Sequence, residues 1–279
     1  MLHRDRRWRR IPGQQSEQGH MEHDLPALAK IAINLASEAG GLLSDGHNTA
    51  KTAVTHTKSS SVDVVTAVDQ ASEELIVGEL RRQRPEDSVL GEEGASVAGT
   101  SGVRWVIDPL DGTVNFVYGI PNFAVSIGVE VDGRGCIGVV YNPIANEMFT
   151  AIEGQGAFLN DEPIKVNPSP RLSQALIATG FSYEQEARKQ QGQVILELLP
   201  QIRDLRRRGS AALDLCAVAS GLVDGYFEAN VKPWDVCAGE VIAREAGARV
   251  TSFHGKRPET DVIAAHPALQ SELRRLVVK

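Results

Sequence analysis

The sequence predicts a layered α/β protein whose two lobes share an interface. Three observations carry this. Helical periodicity occupies the first folded stretches, strand-like runs fill the segment from SVL at 88 to IKV at 166, and beyond Pro168 short strands alternate with helices. A chain of 279 residues suffices for two moderate lobes. The expected boundaries are an N-terminal α+β lobe over 24–168 and a C-terminal α/β lobe over 169–279.

Residues 1–23 stand apart. MLHRDRRWRRIPGQQSEQGH has no apolar periodicity and lacks the hydrophobic stretch of a secretory signal. It reads as a disordered extension or a cloning remnant, since GHM at 19–21 resembles a cloning junction; a basic arm for nucleic acid is the alternative. LPALAKIAINLASEAGGLL then has helical spacing and meets a glycine pair, which predicts a helix from about Pro26 to Leu43. TAVDQASEELIVGELRRQRP predicts a second helix ended by Pro85. SVL and VRWVI read as short buried strands. AVSIGVEVDGRGCIGVVYNP gives two strands around an Asp-Gly turn, a hairpin signal. EMFTAIEGQGAFLNDEPIKV continues the strands. In the second lobe ALIATGF, VDGYFEA, ARVTSF and DVIAAH read as strands, and 184–198, 210–220, 236–246 and 267–276 as helices.

Bulk chemistry narrows the function classes. A formal charge of -7 argues against non-specific binding to nucleic acid or anionic membranes. No apolar run reaches the roughly 18–20 residues that span a bilayer. Cys136, Cys216 and Cys237 are scattered and show no CxxC spacing, which suggests neither a disulfide framework nor a zinc site and points to a reducing cytoplasm.

The acids carry the chemistry. Asp63 and Asp69 lie in SVDVVTAVDQ, Glu92 and Glu93 in LGEEG, Asp108 and Asp111 in IDPLDGT, and Asp235 in KPWDVCAG. In three of these groups the acids follow apolar or aromatic residues, at a strand end or helix start. Half-buried carboxylates repel one another unless a positive charge sits between them. None of the seven histidines lies in these motifs, so the ligation would be all-oxygen, which selects Mg²⁺ or Mn²⁺ before Zn²⁺. Magnesium in turn suggests a phosphate substrate. Pro109 should stop the strand near Asp108, the Leu110 carbonyl is a plausible further ligand, and Thr113 should open a short helix whose free N–H groups suit phosphate. Each element also has an ordinary reading: D-x-x-D and GEEG as solvated turns, Trp234-Asp235 as a core tryptophan beside a helix cap, Thr66 and Asp69 as caps. Their order along one chain favours a site.

That order resembles the inositol monophosphatase family of magnesium-dependent, lithium-sensitive phosphatases. DxVTxxD at 63–69, GEE at 91–93, WVIDPLDGT-x-NF at 105–116, GSAALDLC at 209–216, and GYFE with KPWD between 225 and 235 carry the resemblance, which runs from about residue 24 onward. It implies an α-β-α-β-α sandwich of the sugar-phosphatase kind and a homodimer. It implies two or three Mg²⁺ ions, with Mn²⁺ as a substitute and Li⁺ as an inhibitor, held by Glu92, Asp108, the Leu110 carbonyl, Asp111 and Asp235. Asp63 and Thr113 would hold and deprotonate the attacking water, and Glu93 would bind or orient a further metal through water. The Gly112 and Thr113 amides would grip phosphate; Ser210, Ala211 and Glu228 would meet substrate hydroxyls. Lys58, on a Thr/Ser-rich segment, would belong to a closing loop or be a solvated charge. The implied reaction is hydrolysis of a phosphate monoester, inositol monophosphate or a related sugar or polyol phosphate. Fructose 1,6-bisphosphate, histidinol phosphate and 3′-phosphoadenosine nucleotides remain alternatives within the superfamily, and a partner- or RNA-associated binding module is the alternative class.

Overall fold

The computed structural model describes residues 23–56, 61–168, 171–258 and 260–278, with the side chains of 48–56 and 61–66 outside that description. Lys58 and the tail thus lie outside the described residues, as does the Asp63 side chain.

Helices α1 (Leu25–His56) and α2 (Ser61–Gln83) come first. The glycine pair does not end α1. A Cβ on Gly40 would fall 2.4 Å from Tyr141 Cδ1, so glycine there serves close packing against the sheet and not a helix stop. Helix α2 starts earlier than the pattern suggested and ends before Pro85, as the residue preceding proline disfavours helix.

The first sheet follows: β1 (Ser88–Gly91), β2 (Ser96–Val97), β3 (Val103–Asp111), β4 (Ala124–Val131), β5 (Arg134–Asn142), β6 (Glu147–Ile152), β7 (Gly156–Leu159) and β8 (Glu162–Ile164), in the order β2-β1-β3-β4-β5-β6-β7-β8. Within this sheet, among the described residues, β1 and β3 pair in parallel and the other neighbours are antiparallel. Asp132 and Gly133 both take positive φ, 50° and 77°, and close the expected β4–β5 hairpin. The strand β3 does not stop at Asp108. It runs to Asp111 across a register shift: Asp108 faces Ser126 and Asp111 faces Ala124. Between these pairs two residues on β3, Pro109 and Leu110, oppose one on β4, Val125, a bulge that absorbs Pro109 and brings the two aspartates to the same side of the sheet. In a regular strand, a spacing of three would put them on opposite faces.

The second sheet is β10-β9-β11-β13-β12, built from β9 (Leu176–Thr179), β10 (Asp204–Arg206), β11 (Gly225–Ala229), β12 (Arg249–Thr251) and β13 (Asp261–Ala265). Its helices are α4 (Gln185–Leu198), α5 (Ala211–Ala219), α6 (Pro233–Glu245) and α7 (Pro267–Val277); the short α3 (Thr113–Val117) follows β3.

Three buried clusters define five layers. Leu35, Leu43 and Ile76 of α1 and α2 cover the face of the first sheet formed by Trp105, Ile107, Ile127 and Val139. Leu215, Val241 and Ile242 of α5 and α6 fill the space between that sheet's other face and Tyr226, Val262 and Ala264 of the second. Leu198 and Leu273 of α4 and α7 pack on the outer side against Ile177 and Ile263. The α-β-α-β-α sandwich is therefore the observed architecture. With both faces covered, β3 is buried nearly throughout, which accounts for its continuous apolar run. The face toward α6 is lined by small residues: a Cβ on Gly128 would lie 2.5 Å from Cys237 Sγ, and one on Gly138 would lie 2.2 Å from the Ala238 carbonyl. Glycine lets α6 seat directly on the sheet.

Candidate active site

The bulge of β3 is the centre of the site. Asp108 is 2 % exposed and its Oδ1 accepts from the Leu110 N–H at 3.0 Å. The Leu110 carbonyl accepts from the Thr113 hydroxyl at 3.1 Å, and the Pro109 carbonyl from Ser72 of α2 at 3.1 Å. Gly112 then turns the chain with φ 93° and ψ 35°, a left-handed conformation that glycine adopts without strain. A Cβ there would press within 3.0 Å of the Asn122 carbonyl. Thr113 opens α3 as the spacing predicted.

Asp111 is held from the middle layer. Its carboxylate accepts from the Ser210 hydroxyl, from the Ala211 N–H at 3.2 Å and from the Ala212 N–H at 2.8 Å. Ser210 also caps α5, accepting from the Leu213 N–H at 3.2 Å. The acid thus sits at the positive end of α5, where an anion is favoured. Asn115 fastens the same seam by donating to the carbonyls of Asn122 at 2.7 Å and Arg208 at 2.8 Å.

Asp235 comes from the first turn of α6, with Oδ2 accepting from the Lys232 N–H at 2.7 Å in a capping box. Glu92 follows β1, and its N–H donates to the Ile107 carbonyl at 3.2 Å beside the bulge. Two acids of α2 complete the wall: Glu73, which the sequence did not single out, and Asp69, which lies inside the helix and so does not cap it. Glu73 of α2 is buried and accepts from the N–H groups of Glu93 at 2.9 Å and Ala95 at 3.0 Å, so it shapes the GEE loop. Asp69, one turn earlier on the same helix face, is 5 % exposed, and its Oδ1 has no hydrogen-bond partner among the described residues. The four-residue spacing of Asp69 and Glu73 was the available signal. Glu228 of β11 accepts from the Tyr226 hydroxyl at 2.7 Å, and Gly180 leaves room for its carboxylate.

The electrostatics bind these groups into one site. Burial first, then Glu92, Asp111 and Asp235, raise the Asp108 carboxyl well above the usual range. Burial, then Asp111, Glu92 and Glu228, push Asp235 up to about 8 against the pull of the Lys232 N–H. Burial, then Glu93, Glu92 and Glu73, push Asp69 up to about 8. Asp111 is raised by burial and drawn back by its three hydrogen bonds and by the charge of Arg207. Glu92 and Glu228 are also raised, burial again the largest cause. The group as a whole carries more negative charge than its surroundings neutralise, and Arg207, not singled out from the sequence, is the cation whose charge reaches both Asp111 and Glu228.

Among the described residues no three side chains close into a ready-made metal cluster. The donor chemistry nonetheless fits a hard divalent cation: the donors are carboxylates and a backbone carbonyl without thiol or imidazole, their pKa values are raised by burial and then by mutual repulsion, and one buried Asp69 oxygen is unsatisfied among the described residues. Ser210 and Ala211 spend their donors on Asp111, so the structure gives them a partner inside the protein.

Comparison with known proteins agrees with this fold. The chain belongs to the inositol monophosphatase family, whose model matches residues 24–279. It is 43% identical over 251 residues to the Nus factor SuhB of Pasteurella multocida, covering 88% of this chain and 94% of that protein. The structure of extragenic suppressor protein suhB from Bartonella henselae superposes with a TM-score of 0.81 at 36% identity, covering 91% of this chain and all of that one. The inositol monophosphatase of Anabaena (Nostoc) sp. PCC 7120 gives 0.81 at 35% identity, over 91% and 96% of the two chains.

Proposed function

We propose that this protein is a Mg²⁺-dependent phosphomonoesterase acting on inositol monophosphate or a related sugar or polyol phosphate. The observation that carries the reading is the meeting of buried Asp108 and Asp111 of β3 with half-buried Asp235 of α6 as mutually repelling acids, beside an Asp69 oxygen left unsatisfied among the described residues.

In this reading Glu92, Asp108, the Leu110 carbonyl, Asp111 and Asp235 hold the ions, and Glu93 orients a further one. Bound Mg²⁺ supplies positive charge to the phosphoryl oxygens and acidifies water. Thr113 accepts a hydrogen bond from the attacking water and Asp63 takes its proton; Asp69, whose Oδ1 has no partner among the described residues, is a second candidate for that base. The Gly112 and Thr113 N–H groups at the start of α3 meet the phosphate. Glu228 accepts from a substrate hydroxyl, while Ser210 and Ala211 act chiefly by fixing Asp111. Water oxygen bonds to phosphorus as the ester P–O bond breaks; the departing alkoxide takes a proton from a second water, the aspartate returns its proton to solvent, and no phosphoenzyme forms. A homodimer, inhibition by Li⁺ and a cytoplasmic setting belong to the same proposal. The three cysteines are free, and no described helix is long and apolar enough to cross a membrane.

The test is phosphate release from inositol 1-phosphate with Mg²⁺. Asp111→Asn is expected to lower kcat by about 100-fold or more, and EDTA to abolish activity. Full activity in either case overturns the assignment. Fructose 1,6-bisphosphate, histidinol phosphate and a 3′-phosphoadenosine nucleotide as parallel substrates sort the alternatives. The name Nus factor among the relatives favours a second reading, a partner-binding role beside catalysis. Salt-dependent RNA binding lost on deleting residues 1–20 would support it; no binding at low salt would remove it.

A further inference from the structure

The second sheet carries a polar cavity built from residues outside the acidic site. It measures about 510 Å³ and lies between β12, at the sheet's edge, and α7. Arg249 and Thr251 of β12 form one wall, and Gln270, Ser271, Arg274 and Arg275 of α7 form the other. The size suits a small-molecule ligand.

The polar groups of these walls are fixed by their own contacts. Gln270 is 3 % exposed and donates to the Thr251 hydroxyl at 2.8 Å. Arg249 donates to the Ser271 hydroxyl at 3.3 Å. Arg274 donates through Nε to the Phe253 carbonyl at 2.6 Å, which anchors the guanidinium by its stem side. Its Nη1 and Nη2 pass the Gly255 turn, where even a Cβ would lie 3.5 Å away, and stay available to the cavity. Hydrogen bonds therefore orient two of the three guanidinium groups, but none of these bonds neutralises them.

Among the described residues this charge has no carboxylate counterpart. Arg84, Arg104, Arg208, Arg244 and Arg257 each pair with a carboxylate. Among the described residues Arg249, Arg274 and Arg275 have no such partner, and Glu272 of α7 is not part of the cavity wall. The C-terminal end of a helix favours cations, which accounts for Arg274 and Arg275 taken alone. It does not account for a third arginine reaching the same cavity from a strand, in a protein of net charge -7. Like charges so gathered repel, and a dianionic or more highly charged ligand removes that repulsion.

We propose that this cavity is a binding site for a small molecule carrying a pyrophosphate or two phosphate groups, separate from the acidic site. Guanidinium forks match phosphate oxygens two at a time, while the Thr251 and Ser271 hydroxyls, which donate to the Ser252 and Pro267 carbonyls, serve to hold Gln270 and Arg249 in place.

Inorganic pyrophosphate titrated calorimetrically into the full chain in EDTA tests this, since EDTA leaves the acidic site no cation to draw phosphate. Saturable binding is expected. It should weaken at least about tenfold in the Arg249→Gln, Arg275→Gln double variant and persist in Asp111→Asn. Ser271→Glu, which puts a carboxylate among the arginines, should abolish it while the circular dichroism spectrum stays unchanged. Absence of binding to the wild type, indifference to the arginine changes, or loss in Asp111→Asn overturns the proposal. So does binding of a short oligoribonucleotide through the same arginines without binding of pyrophosphate.

Discussion

At Ser210 a single hydroxyl donates to Asp111 and caps α5. Ser210→Ala removes both contacts. A lost N-cap costs about 1 kcal/mol, and Asp111 loses one of three donors. The expected outcome is a lower denaturation midpoint in urea together with a fall in kcat larger than any change in KM. The residue scale also shows what sequence could reveal. Asp108, Asp111 and Asp235 were legible because carboxylates rarely follow apolar runs without a reason, and Glu92 because it stands in the short GEE signature. Glu73 was not. Its role lies in accepting N–H groups twenty and twenty-two residues away, and no local pattern reports which face of α2 meets that loop. Nor was Arg207, one of three successive arginines at 206–208 with no local pattern to mark which of them faces the acids.

Helices and strands with a clear period were read correctly in kind. The boundaries that failed are those where tertiary packing overrules a local signal. Gly40 and Gly41 read as a stop because glycine disfavours helix, yet contact with Tyr141 makes Gly40 a requirement of packing. Pro109 read as the end of β3, yet a bulge carries the strand past it. Strands as short as β2 and β10 hold too few residues to display any period. The sheet–helix contact offers the sharpest test at this scale. Gly138→Ala would drive a methyl into the Ala238 carbonyl. Overpacking of this kind costs about 1–3 kcal/mol. Because α6 also carries Asp235, phosphatase activity should fall with stability, whereas Gly78→Ala, on α2 with open space at its Cβ, should spare both. Chemical denaturation and phosphate release on the two variants check this.

For the whole molecule, the acids set how stability depends on pH. Asp69 and Asp235 have folded pKa values near 8, far above the ordinary aspartate value of 3.8. The folded state thus holds protons that the unfolded chain releases. Their contribution is fully present below pH 3.8 and is lost as pH rises through about 8. Asp87 has the opposite sign, since Arg84, Ser101 and Trp105 hold its carboxyl down, but its effect is complete before the neutral range. In EDTA the melting temperature should therefore fall between pH 5 and pH 8. Asp69→Asn should flatten that fall, and Mg²⁺ should raise the melting temperature most at the alkaline end. A melting temperature that rises across this range in EDTA would contradict the assigned burial of these acids. Layering itself was legible from the alternation of periods. Which faces meet was not, because the contact between α6 and the first sheet joins residues a hundred positions apart.

The seat of α6 on that glycine-lined face has a kinetic consequence. Its amides, enclosed between two sheets, should exchange with deuterated solvent only through global opening, whereas those of Glu92 and Glu93, on an exposed loop, should exchange through local fluctuation. The walls around the acids therefore differ in lifetime: Asp235 stands on the slow one and the GEE loop on the fast one. Arrival and departure at the site would follow the loop's clock, and residence times would shorten when Glu73 no longer ties that loop to α2.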